Sequence, residues 1–211
     1  MLSVTSKNKK LLVAFIGILA VCLFTFLLIF NPLPIKATNV CENTVERYVI
    51  NTPNNNFPKQ GKNQCSAFSS AFILRQLGHN VDGATIYENI SGKINLPPWR
   101  GYVFYTGIIK TFKSYGYNMK IYVGNLKTLR TTLTNGIPII VQIGNGLKWQ
   151  HYMVLIGYDK HLKELYFYDS NKHNDTNDEQ PGNRTLNEEK FLELWNNKTF
   201  LFNRSYFVVE K

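Results

Sequence analysis

Residues 11–30, "LLVAFIGILAVCLFTFLLIF", carry no charge and no group more polar than Thr25. At 1.5 Å rise per residue, about 20 helical residues cross a hydrocarbon core roughly 30 Å thick. A stretch so uniformly apolar has no polar face to turn toward water, so it does not fit the surface helix of a soluble domain. Residues 1–30 are therefore read as one N-terminal transmembrane or signal helix. The run exceeds the roughly 7–15 residues of a signal-peptide core, which favours an uncleaved anchor. Cleavage after Ala37 in "PIKA" is the alternative, with Ile35 a poor match to the small-residue pattern. Lys7, Lys9 and Lys10 precede the run and stay cytoplasmic by the positive-inside rule. The remainder of the chain then faces outward, on the cell membrane or, if the segment is cut, secreted.

Residues 31–47 open with "NPLPIKATN", whose prolines stop the helix, and read as a linker. Residues 48–211 read as one domain. A composition 44% hydrophobic and 14% aromatic allows it to bury its own core. The net charge of +10 suits an anionic setting such as a membrane surface or a cell-wall polymer. Without a Lys/Arg cluster of about five or a zinc-ligand spacing, neither nucleic acid nor a metal is expected as a partner, and no cofactor is implied. The three cysteines, Cys22, Cys41 and Cys65, are too few and too odd in number for a disulfide framework. A Cys41–Cys65 bridge in an exported domain is the one pairing to weigh.

Local patterns give the element order. Residues 65–77 predict a helix with Ala67, Phe68, Ala71, Phe72, Leu74 and Leu77 near the 3.6 period and Gly78 as its stop. Residues 79–100 read as loop-rich, and 104–115 as a second helix. Residues 119–124 predict a strand, 125–136 a helix capped by Asn125, and 137–144 a β-branched strand. Two further strands, 151–159 and 164–171, form a hairpin. Thr185 and Glu188 match a capping box for a helix over 185–195, and the chain closes on a strand from residue 204. Helices come first and antiparallel strands come after, which makes the class α+β.

The hairpin constrains chemistry. A turn centred near residue 160 puts His151 opposite Asp169; one centred at 161 puts Asn171 opposite His151 and Asp169 a diagonal step away. Either way the side chains share a face, so an imidazole meets a carboxylate or amide that fixes its tautomer and orientation. Cys65 stands at the start of a helix, where unpaired amides and the dipole stabilise a thiolate. Its own N–H and a nearby glutamine amide, from Gln60 or Gln64, are candidate donors to an oxyanion. A histidine at a strand end, an aspartate after a strand and a buried cysteine are each commonplace alone. Together, in the order Cys, His, Asp, they match nucleophile, base and orienter.

The stretches "QGKNQCSAFSSAFILRQLG", "IIKTFKSYGYNMKIYVGNLKTLRTTLTNGIPIIVQIG", "HYMVLIGYDKHLKELYFYDSN" and "FLELWNNKTFLFNRSYFVVEK" together resemble the papain-like cysteine peptidases. More narrowly, they resemble the peptidase C39-like group related to the double-glycine, bacteriocin-processing peptidases. The resemblance implies a papain-like fold and a thiol-dependent peptidase acting on a peptide or protein. It implies Cys65 as nucleophile, His151 as base and Asp169 as orienter, with a glutamine upstream of the cysteine. In the family that glutamine commonly stands six places before the cysteine, where this chain has Lys59; Gln60 stands five before. Ser66 and Ser170 replace a common glycine and proline. Two other functions compete. One is a catalytically silent, peptidase-like binding domain. The other is a cell-wall peptidoglycan amidase or endopeptidase, suggested by "QCSAF" but disfavoured by the long interval between Cys65 and His151.

Overall fold

The computed structural model describes residues 6–38, 44–52, 56–146, 148–172 and 181–210. Helix α1 (Ser6–Phe30) contains a span, Lys9–Phe30, long and apolar enough to cross a membrane. The chain then runs against the domain. Strand β1 (Ile35–Lys36) and β2 (Arg47–Val49) come before α2 (Cys65–Gln76), α3 (Gly83–Asn89) and α4 (Tyr105–Ser114). Next come β3 (Asn118–Val123), α5 (Leu126–Thr134), β4 (Ile139–Gly144), β5 (Gln150–Asp159), β6 (Glu164–Tyr168), β7 (Arg184–Asn187), α6 (Glu188–Trp195) and β8 (Ser205–Glu210).

Among the described residues one sheet carries all eight strands, in the order β1-β3-β8-β4-β5-β6-β7, with β2 on the far end of β5. Its pairs are antiparallel except β1 with β3. The last strand, β8, lies between β3 and β4 and alternates accordingly. Phe207 and Val209 enter one core with α2 and α4, while Tyr206 and Val208 enter the other with α5 and α6. That is the period-two consequence of a strand covered on both faces. The fold is thus α+β, with helices on both sides of the sheet.

Helix α2 is the central one. Ser66 to Leu74 are all buried, so the apolar stripe extends around the helix. Packing by α3 and α4 in addition to β5 is the reason. Within the segment read as loop, α3 forms because Asp82 caps it, accepting from the Thr85 N–H at 2.9 Å. Asn125 caps α5 as expected, and Thr128 completes a capping box there. The box expected from Thr185 and Glu188 does not form. Thr185 belongs to β7, opposite Tyr166, and Asn187 caps α6 through the Lys190 N–H at 2.7 Å. Edge pairing to β6 outcompetes an early helix start.

A bulge in β5 between Leu155 and Gly157 moves Tyr158 onto the face of Met153 and Leu155. Gly157 suits that bulge because a Cβ there would stand 2.8 Å from the Tyr48 carbonyl oxygen in β2. Cys22 and Cys65 are free thiols, and Cys41 lies outside the described residues.

Candidate active site

Cys65 is the first residue of α2. A tight turn delivers it: the Gly61 N–H donates to Gln64 Oε1 at 2.8 Å, and Asn63 takes a left-handed φ of 58°. Gln64 occupies the N-cap without a side-chain cap, and no acid lies in the first turn. The helix terminus therefore keeps its positive potential where the sulfur sits. The helix is tied to β5 by Ser69 Oγ, which donates to the Tyr152 carbonyl at 3.4 Å.

Of the two hairpin registers, the structure adopts the one centred at 161. Val154 faces Tyr168 and Leu155 faces Phe167, which puts Asp169 a diagonal step from His151. The two side chains still meet. His151 Nε2 lies 2.7 Å from Asp169 Oδ1. An ionised carboxylate only accepts, so Nε2 carries the proton and Nδ1 is left for the thiol. Cys65 is close enough to the same ring to raise its pKa.

Burial pulls the His151 pKa down. The hydrogen bonds to Asp169 and Cys65, and their charges, more than reverse this and set it at about 9. Burial pushes Asp169 up, yet the bond and charge of His151, then Arg184 and the Asn171 N–H, hold it well below the usual carboxylate range. Asp169 is 1% exposed, so its charge is sustained entirely by these partners.

Sequence reasoning missed part of that support. Arg184 donates to Asp169 Oδ2 at 2.5 Å. Asn183 accepts from the Asp169 N–H at 2.7 Å and donates to its carbonyl at 3.0 Å. Asn171, the alternative orienter, instead supplies its backbone N–H to Asp169 Oδ1 at 2.9 Å. Gln60 sits at the end of this strand. Its N–H donates to the Ser170 carbonyl at 2.7 Å, and its Oε1 accepts from Ser170 Oγ at 2.6 Å. Its Nε2 donates to the Gly61 carbonyl at 3.0 Å.

A small cleft runs over the sulfur, walled by Asn63, Cys65, Ser66, Gly101, Tyr102, Val103, Gln150 and Tyr152. Neither Gln60 nor Gln64 lines it. Gln150 is fixed from behind, accepting from Gln142 Nε2 at 2.9 Å, and Gln142 in turn bonds the Tyr105 hydroxyl. Among the described residues no group of three or more His, Cys, Asp or Glu is placed to hold a metal ion. The arrangement suits thiol chemistry: a thiol at a helix terminus, an imidazole beside it and a buried carboxylate behind.

The fold resembles that of solved peptidases. A C39-like peptidase from Bacillus anthracis superposes with a TM-score of 0.59 at 18% identity, over 79% of this chain and 98% of that one. The peptidase domain of Streptococcus ComA, a bifunctional ABC transporter of a quorum-sensing pathway, gives 0.51 at 18% identity, over 73% and 96%. No curated protein matches the chain significantly. The profile of the Peptidase C39-like family matches residues 42–201, and the chain belongs to that family.

Proposed function

We propose that the protein is a membrane-tethered cysteine peptidase. Cys65 acts as nucleophile, His151 as general acid and base, and Asp169 as the group that orients the imidazole. The observation that carries this reading is the His151–Asp169 bond at 2.7 Å, made by a ring whose pKa Cys65 also helps to raise. With His151 raised to about 9, the imidazole is protonated at neutral pH and is placed to act first as the acid.

The thiolate attacks the scissile carbonyl carbon, forming a C–S bond and a tetrahedral oxyanion. The Cys65 N–H at the start of α2 is one donor to that oxyanion. Gln60 is the second in this reading, its carboxamide held by Ser170. Collapse breaks the C–N bond while His151 gives its proton to the leaving amine. Water then attacks the thioester, His151 takes its proton, and the acid leaves with the thiolate restored. Residues 11–30 hold the enzyme in the membrane with the domain outside the cytoplasm, and its substrate is a peptide or protein.

The test is the iodoacetamide reactivity of Cys65 at about pH 6, where an isolated thiol is almost wholly protonated. His151→Ala is expected to slow it at least ~10-fold, and Asp169→Asn to slow it less. Equal, slow reaction in all three proteins would leave a packed cysteine and favour a silent binding domain.

A further inference from the structure

Four parts of the molecule meet at residues 103–105. Val103 lines the cleft beside Cys65. The Phe104 ring packs on Phe30, the last residue of α1, with centroids 5.0 Å apart. The Tyr105 N–H donates to Asn31 Oδ1 at 3.1 Å, so the residue that ends the anchor helps to cap α4. The Tyr105 ring meets Phe202 edge-on at 5.2 Å. The end of the apolar helix therefore lies against the cleft wall, and whatever packs on Phe30 and Asn31 sits at the depth where a spanning helix leaves the bilayer.

Three exposed loops surround this junction. The hairpin closed by the Lys93–Val103 bridge turns Leu96 and Trp99 outward, 71% and 49% exposed. The turn before β8 shows Phe200 at 80% and Leu201 at 41%. The β4–β5 connection, joined to that turn by the Gly146 N–H on the Asn197 carbonyl, shows Trp149 at 41%. The second display is held in place: Lys198, Leu201 and Arg204 take φ of 58°, 66° and 57°, a region L-residues enter only at a cost. Strain that keeps apolar side chains in water calls for something to cover them.

Charge says what covers them. Arg100, Lys148 and Lys198 each lie beside these apolar residues. Residues 91–105, 143–151 and 196–206 contain no Asp or Glu, although the chain has 14. Trp and Leu flanked by cations, with acids excluded, is the chemistry of an anionic membrane interface.

We propose that this face rests on the bilayer that α1 spans. Leu96, Trp99, Phe200 and Leu201 lie at the headgroup boundary, and Arg100, Lys148 and Lys198 lie against anionic headgroups, with the cleft beside them. The proposal rests on α1 as a membrane span and is independent of the roles given to Cys65, His151 and Asp169.

The test uses the full chain reconstituted in phosphatidylcholine–phosphatidylglycerol vesicles with and without bromine on the acyl chains. Trp195 is fully buried and serves as the unquenched background. Bromine is expected to quench the wild-type emission, and Trp99→Tyr to lower the quenched fraction about twofold. The pair Leu96→Glu with Phe200→Glu should lower it further while the chain still resists carbonate extraction. A carbonate-resistant wild-type chain whose emission ignores bromine would overturn the proposal and point to a protein partner for this face. A chain released by carbonate would overturn it together with the anchor. Neither result touches the alkylation test of the triad.

Discussion

Asp169 accepts three hydrogen bonds on its two oxygens, from His151, the Asn171 N–H and Arg184. Its backbone is clasped on both sides by Asn183. A carboxylate so enclosed has one orientation, and His151 inherits it. The titrations carry the same stamp. Asp169 is depressed, so its contribution to stability is present above its unfolded value near pH 4 and is lost as pH falls through the folded one. His151 is raised from 6.5 to about 9, so its contribution is complete below 6.5 and is lost as pH rises through 9. Both are complete between roughly pH 4 and 6.5. The gap in urea midpoint between wild type and His151→Ala should therefore be largest near pH ~5.5 and shrink by pH ~9.5. A gap that is constant or grows with pH would show that the folded His151 is neutral.

At the scale of elements, the cleft wall depends on how closely α4 approaches the hairpin at its base. Gly107 in α4 would, with a Cβ, stand 2.3 Å from the Ser91 carbonyl oxygen and 2.6 Å from Val103 Cγ1. The first contact is backbone and cannot rotate away. Gly107→Ala is expected to lower stability by about 1–3 kcal/mol and to loosen the 94–102 hairpin, read as a lower urea midpoint and faster proteolysis near Trp99. An unchanged midpoint would mean that α4 and the hairpin separate freely. These elements also mark what could be read from the sequence. The helix led by Cys65, the strand with His151 and the carboxylate after its partner strand each carry a local pattern. The register does not, because the bulge before Gly157 shifts it by one residue; a glycine inside a strand is its only sign. Arg184 and Asn183 reach Asp169 because β7 returns beside β6, with Arg184 opposite Phe167. That closure joins residues with no shared periodicity, and the polar stretch between them gives no hint of it.

For the whole molecule, the consequential feature is the seam between α1 and the domain. Residues 31–37 begin with the prolines of a spacer, yet they bond to the domain along their length. Asn31 accepts from Tyr105, β1 pairs with Tyr122 and Val123, and the Ala37 N–H donates to the Val123 carbonyl at 3.1 Å. Cleavage after Ala37 would strip β1 from the sheet and uncap α4. A helix cap is worth about 1 kcal/mol, and each backbone bond to a sheet edge adds a similar net amount. A soluble chain starting at Asn31 should therefore exceed one starting at Thr38 by about 2 kcal/mol, or roughly 4–8 °C in Tm for a domain of this size. Equal melting would make residues 31–37 a passive tether and leave the domain free to swing relative to α1. A difference of the expected size fixes the domain against the end of α1, and the cleft then keeps one orientation toward that helix.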